Sequence, residues 1–270
     1  MSDSASVFKL HQGCTPLLVS MPHVGTEIPA DQHERYAPRA LAFEDTDWHL
    51  ERLYGEIAKR LGASLIVPRY SRYLIDLNRP PDDTPMYPGA ANTELCPTRF
   101  FTSEPLYAPG RAPDAAEVER RRETYWRPYH DALQAELDRL REVHGVALLF
   151  DAHSIKSELP WLFEGQLPAL NLGTVDGRAC DPELQQRLVA VLAGQDAQSH
   201  VVNGRFKGGY ITRHYGQPAQ GQHAVQLEMC WRCYMDEAKP PVDGYDEARA
   251  ARIQPLLETL LATLQAWARA

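Results

Sequence analysis

Apolar runs of strand length alternate along the chain with stretches of helical periodicity, a pattern that favours an α/β layer architecture. Leu17–Ser20 is apolar, is ended by Met21-Pro22, and predicts a buried strand. Over Asp47–Leu61 the apolar positions Leu50, Leu53, Tyr54, Ile57, Ala58 and Leu61 recur at helical spacing, and Gly62 follows as a helix-ending residue. Ser64–Pro68 and Tyr73–Leu77 read as two further strands. Pro80–Pro113, rich in Pro, Gly, Thr and Asn, reads as a long ordered loop, and loops of that length inside a compact domain usually carry function. The strongest helix signal is Ala115–His144, with Val118, Tyr125, Tyr129, Leu133, Leu137 and Leu140 on one face and charges on the other. Pro128 predicts a kink or restart near Trp126-Arg127. Gly145 ends that helix, and Val146–Phe150 is a strand running into Asp151-Ala152-His153-Ser154. Asp181–Ala193 predicts a helix, Ala224–Met229 a strand, and Tyr245–Ala268 a closing amphipathic helix that covers the sheet. No repeat, low-complexity segment or linker divides the chain, so residues 1–270 read as one domain.

Composition narrows the function classes. At 270 residues and 44% hydrophobic, the chain can bury a sizeable core without staples. Its 28 Lys+Arg against 36 Asp+Glu leave a net charge of -8, which argues against nucleic acid or an anionic membrane surface as a partner. A small anionic ligand held by a few buried arginines is still compatible with that balance. The five cysteines are odd in number and make no disulfide framework. The N-terminal stretch has no basic and apolar leader pattern, and no apolar run is long enough to span a bilayer. The expectation is a reduced, cytoplasmic protein whose oligomeric state stays open. Cys230-Trp231-Arg232-Cys233 matches CxxC but lacks the second pair of a zinc ribbon, so buried, unreactive thiols are expected there.

Polar clusters at strand ends matter more, because ligand sites in open α/β sheets gather beyond the carboxyl ends of strands. His23 follows the first strand in Ser20-Met21-Pro22-His23-Val24-Gly25, and His153 follows a later one. Between them Glu44-Asp45-Thr46-Asp47 puts carboxylates at a helix start, where the helix dipole alone would favour them. Two imidazoles and one carboxylate with an open fourth position make a catalytic zinc arrangement, with Asp47 or Asp45 as the acid. The other eight histidines lack such context and read mostly as solvated or structural. Arg72 and Arg79 flank the Tyr73–Leu77 run, and guanidinium groups beside a metal can grip carboxylates or stabilise a developing oxyanion. Glu228 is a carboxylate on an otherwise apolar strand, which is expensive unless it is paired. It is either a general base for an attacking water or one half of a buried salt bridge.

Together these clusters resemble the N-formylglutamate amidohydrolase (N-formylglutamate deformylase) family, within the wider zinc carboxypeptidase and aspartoacylase-like group. The matching stretches are Ser20–Pro29, Asp45–His49, Ser71–Pro80, Asn92–Pro97, Asp151–Ser154, Gly204–Arg213 and Gln226–Met229, spread in order over nearly the whole chain. The resemblance implies a three-layer sandwich with a mixed sheet flanked by helices, as in zinc carboxypeptidase and phosphorylase/hydrolase-like folds. It also implies one Zn2+ ion and hydrolysis of N-formyl-L-glutamate to L-glutamate and formate, a last step of histidine degradation. On it, His23 and His153 are zinc ligands, Glu228 the general base, Arg72 the arginine that polarises the scissile carbonyl, and Asn78 with Arg79 the pair that holds a substrate carboxylate. The wider group takes its carboxylate ligand from a Glu three residues after the first His. Here that position is Thr26 and Glu27 comes one later, so Asp47 is preferred as third ligand, with Asp45 and then Glu27 behind it.

The implied partner is a small dianionic amino-acid derivative. Arg79, Arg213 and one of Arg205 or Lys207 could hold its two acids, and Gly208-Gly209 would let a loop approach or close over it. Two rivals stand beside this reading: a zinc amidohydrolase of another N-acyl amino acid, and a metal-containing binding protein without turnover. A purely structural zinc is a further possibility, against which an open coordination position argues.

Overall fold

A computed structural model describes residues 6–86 and 92–269. Seven strands form one sheet: β1 Phe8–His11, β2 Leu17–Ser20, β3 Ser64–Pro68, β4 Ala147–Ile155, β5 Leu170–Gly173, β6 His200–Val202 and β7 Gln222–Cys230. Their order is β1-β3-β2-β4-β7-β5-β6. The four central strands run parallel, while β1 is antiparallel to β3 and β5 to β7, so the sheet is mixed as expected. Both faces are covered. Helices α1 (Leu50–Arg60), α4 (Pro182–Ala193) and α6 (Glu247–Trp267) pack on the face that shows Leu17, Val19, Leu148, Phe150, Val225 and Leu227. The opposite face, with Leu18, Ile66, Leu149 and Ala224, carries α3 (Arg127–His144) and α5 (Tyr210–Tyr215). This is a three-layer α/β sandwich.

Most sequence-derived elements are present with shifted ends. The long helix is divided: α2 (Ala115–Arg121) passes into a π-helical turn over Arg122–Trp126 before α3, where Pro128 has no N–H to donate. The helix expected from Asp47 begins only at Leu50, because His49 adopts a left-handed conformation at φ 64°. Tyr73–Leu77 is not a strand. Tyr73, Leu74, Ile75 and Leu77 are all buried, so the run lacks a solvent face, and Leu74 N–H to Ser71 O and Arg79 N–H to Asp76 O fold it into successive turns. The edge strands β1 and β6, the inner strand β5 and the short helix α5 are three to six residues long, too short to stand out in the sequence.

The long loop is ordered where it is described, residues 87–91 lying outside the described residues. The amide of Asp76 donates to Leu95 O, the Arg79 guanidinium to the carbonyl and hydroxyl of Thr93, and the amide of Phe101 to Asp45 Oδ2. The first two hold the loop against the turns at 71–79, and the third ties it to the segment before α1.

What positions chemistry is the pairing of β4 with β7. Their register sets Asp151 beside Gln226 and His153 beside Glu228, and register-matched residues of parallel strands share a face. On that face Ala147, Leu149 and Ala224, beside Gln222, give way to the run of polar residues Asp151, His153, Gln226 and Glu228. The switch occurs inside continuous strands, so His153 lies within β4 rather than after its end.

Candidate metal centre and active site

One recess is lined by His23, Asp47, Arg72, Asn78, Arg79, His153 and Glu228. Thus the preferred metal ligands meet there with Glu228, Arg72, Asn78 and Arg79, from five separate stretches of chain, while Asp45, Glu27, Lys207 and Arg213 do not line it. His23 stands in the turn after β2, and Asp47 lies just before α1, fixed where its amide donates to His23 O. His153 and Glu228 come from β4 and β7.

The two imidazoles are oriented by carboxylates that the sequence reading left without a role. His23 Nε2 lies 2.7 Å from Asp76 Oδ1, and His153 Nε2 lies 3.0 Å from Asp151 Oδ2. A carboxylate is an acceptor, so each Nε2 carries a proton and each Nδ1 is left with its lone pair. Those two Nδ1 atoms face each other at 3.1 Å, with Asp47 Oδ2 3.1 Å from one and 3.7 Å from the other. Three acceptors converging on one point in a buried site repel unless a cation or a proton sits among them. His23, Asp47 and His153 are the one group among the described residues whose ligand atoms meet closely enough for a metal, all within 4.8 Å. Two nitrogens and one carboxylate oxygen with room for a further ligand suit Zn2+. Burial opposes charge on His153, yet Asp151 and Asp47 outweigh it and hold the imidazole well above its ordinary value. Burial likewise works against the Asp47 carboxylate, but hydrogen bonds from His153 and His23 prevail and keep it below the ordinary range.

The rival acids are engaged elsewhere. Asp45 accepts from the Tyr73 hydroxyl and the Phe101 amide, and Glu27 pairs with Arg69 at 2.7 Å in an exposed bridge. Neither belongs to the converging cluster.

Glu228 is buried and makes no ion pair among the described residues, so the salt-bridge alternative has no partner in the structure. Burial chiefly, helped by the negative charges of Asp47 and Asp151, pushes its carboxyl up to about 8, against the opposing pull of His153 and Arg72. Arg72 is buried as well, with one amino group 2.7 Å from Asp76 Oδ2, the other 3.7 Å from Asp47 Oδ1, and its plane 4.7 Å from the Phe101 ring centroid.

Asn78 faces the recess but is bound to the protein. The Ile211 amide donates to its Oδ1 at 2.8 Å, which turns its Nδ2 toward Asp151 and His153. Because His153 Nε2 is itself a donor, that amide group donates to Asp151 Oδ2. Gly209 is obligatory beside it, since a Cβ there would sit 2.3 Å from Asn78 Nδ2. Arg213 does not line the recess; its Nε donates to Gly208 O. Lys207 pairs with Asp176 at 3.1 Å near the surface, whereas Arg205 is a lining residue. Asp76, Asp151, Phe101 and Gln226 are the residues that sequence reasoning missed. The signal for Asp151 was available, for Asp151 and His153 are two apart on one strand and so share a face.

A profile of the N-formylglutamate amidohydrolase family matches residues 15–235. An N-formylglutamate deformylase of Pseudomonas putida is 51% identical over 261 residues, covering 97% of this chain and 96% of that protein. One from Pseudomonas aeruginosa is 51% identical over 258 residues, covering 95% and 96%. This chain belongs to the N-formylglutamate amidohydrolase family. Among solved structures, the N-formylglutamate amidohydrolase from Ralstonia eutropha JMP134 superposes with a TM-score of 0.80 at 26% identity, covering 97% of this chain and 98% of that one. A protein of Agrobacterium tumefaciens, at 18% identity and a TM-score of 0.72, covers 98% of this chain and 97% of its own, and shares the fold. The family's sandwich is therefore present across the full length described. No helix among the described residues is long and apolar enough to cross a membrane, and four of the five cysteines, Cys230 and Cys233 included, are buried as free thiols.

Proposed function

We propose that this chain is a zinc-dependent N-formylglutamate deformylase, a cytoplasmic amidohydrolase of one domain over residues 1–270 that acts in histidine degradation. The observation that carries the reading is the convergence of His23 Nδ1, His153 Nδ1 and Asp47 Oδ2 beside a buried Glu228 carboxyl that makes no ion pair among the described residues. The names of the two Pseudomonas relatives supply the substrate.

His23, Asp47 and His153 would hold the metal. Bound there, zinc supplies a Lewis acid that polarises the formyl carbonyl and makes the attacking water more acidic. Glu228 takes the proton as the water oxygen attacks the formyl carbon. It then returns that proton to the amine nitrogen as the C–N bond breaks, giving formate and L-glutamate. Burial pushes that carboxyl up to about 8 in the chain without metal, and the positive charge of a bound metal would draw it back toward the carboxylate that a general base must be. Arg72 donates to the oxygen on which negative charge develops, and its burial against Phe101 keeps its amino groups from swinging away. The substrate's two carboxylates need cations at the other end of the recess. Arg79 and Arg205 are the arginines that line the recess besides Arg72, and we assign them that task in place of Arg213.

Formate release from N-formyl-L-glutamate, followed before and after chelation and after zinc is restored, tests the reading. Loss on chelation and recovery with zinc are expected. Activity that survives complete metal removal would sink the metal mechanism. A zinc-loaded protein that ignores this substrate and hydrolyses N-acetyl analogues would move the assignment to the neighbouring acyl class.

A further inference from the structure

Asp76 differs from every other carboxylate near the recess in how completely it is used. It is fully buried, at 0% exposure. Its Oδ1 accepts from His23 Nε2 at 2.7 Å and from the Asn78 amide at 2.8 Å, while its Oδ2 accepts from the Arg72 guanidinium at 2.7 Å. One carboxylate thus orients a proposed metal ligand with one oxygen and the proposed oxyanion arginine with the other. Asp151 offers the contrast. It reaches His153 through Oδ2, but among the described residues its Oδ1 has no hydrogen-bond partner and no arginine pairs with it. The two histidines are therefore supported in different ways, and one of the supports is shared with Arg72.

We propose that Asp76 is a positioning residue that couples the metal centre to the oxyanion arginine, holding His23 Nδ1 toward the metal and Arg72 toward the substrate at once. The chemistry of the side chain explains why an isostere cannot substitute. Asparagine keeps the shape but has a single acceptor oxygen. If that oxygen serves His23 and the Asn78 amide, the NH2 group is turned on the Arg72 guanidinium, donor against donor. If it serves Arg72, the NH2 group faces the His23 N–H instead. Either way one of the two cannot keep its place. Arg72 reaches the cluster by a second, longer contact at Asp47, 3.7 Å away, which is too long to fix its orientation alone. The turn at 71–79 is what makes the sharing possible, since it brings Arg72 and Asp76 together four residues apart without a helix.

This inference rests on the zinc deformylase reading, and the experiment separates the two. Zinc affinity is measured for the full-length protein by competition with a chromogenic chelator, with no substrate present. Formate release at saturating zinc then gives kcat and KM. Asp76→Asn is expected to weaken zinc binding by roughly 10- to 100-fold, as loss of a carboxylate behind a ligand histidine does. At saturating zinc it should lower kcat by about tenfold or more and leave KM within about threefold, the pattern of an interaction made in the transition state. Arg72→Met should lower kcat by roughly 100-fold or more. The double variant should be no slower than Arg72→Met alone, within about threefold, because Asp76 reaches the reaction through Arg72. Asp76→Glu, which keeps the charge and displaces it by one methylene, is read by the same criteria if the asparagine variant does not fold. Zinc affinity of the Asp76 variant within twofold of the parent overturns the proposal, and so does a double variant in which the two losses multiply. A parent protein that binds no zinc, or binds it and releases no formate, fails the underlying reading instead.

Discussion

His153 and His130 are buried to nearly the same degree, at 2% and 4% exposure, and they behave as opposites. His153 lies between Asp151 and Asp47, which hold its imidazole well above the ordinary value in spite of burial. His130 lies among rings. It stacks on Trp126 at 3.8 Å between centroids, donates from Nε2 to Leu77 O and accepts the Tyr215 hydroxyl at Nδ1. With no carboxylate in contact, burial pushes it down to about 3. The desolvation penalty is common to both, so the company each keeps decides the outcome. A buried histidine is a candidate ligand when acids surround it and a neutral strut when rings do. The strut still serves the site at one remove, for the carbonyl it grips belongs to Leu77, next to Asn78 and one residue from Asp76.

The comparison breaks most sharply if the two histidines prove interchangeable. His153→Ala should abolish zinc retention through gel filtration and reduce formate release to background, whereas His130→Ala should retain stoichiometric zinc. Metal analysis of both purified variants checks this, and equal zinc loss would erase the distinction. A smaller effect is expected at Glu228, a buried carboxyl that orients no histidine. Glu228→Gln should keep zinc and lose turnover by roughly 100- to 10,000-fold, the contribution of a general base. If that variant instead released its zinc and kept its turnover per bound metal, Glu228 would belong with Asp47 as a ligand.

The same contrast marks what could be read from the chain alone. The central strands and long helices are visible because their apolar runs are continuous, and His23, Asp47, His153 and Glu228 are conspicuous as polar residues set against such runs. Tyr73–Leu77 looked like a strand for the same reason and is a pair of turns, because its burial comes from the loop folded over it rather than from sheet neighbours. The sequence favours Arg213 and leaves Arg205 as an alternative to Lys207, whereas the fold brings Arg205 to the recess and carries Arg213 away on α5. Asp76 lies in a matching stretch without showing its task there, since a carboxylate shared between His23 and Arg72 is a three-dimensional relation. His130 carried no signal at all: its partners Trp126, Tyr215 and Leu77 come from three segments.

The neutrality of His130 has a consequence for acid stability. In the unfolded chain an imidazole takes up its proton near its ordinary value of about 6.5, but the folded site excludes the proton until about 3. Between those limits the unfolded state binds more protons, so stability is fully present above about pH 6.5 and is lost as pH falls. The slope is about 1.4 kcal/mol per pH unit, or roughly 2 kcal/mol between pH 6.5 and 5. His130→Gln keeps a donor for Leu77 O and cannot titrate. It should start less stable than the parent at neutral pH and lose less on acidification, so that the two urea-unfolding free energies approach each other by roughly 2 kcal/mol over that interval. His153 predicts the reverse sign for the metal-free protein, because a raised imidazole contributes stability at low pH that fades as pH rises through its folded value. Parallel pH profiles for His130→Gln and its parent would mean that ring packing does not keep the proton out, and the opposition between the two histidines would then rest on the carboxylates alone.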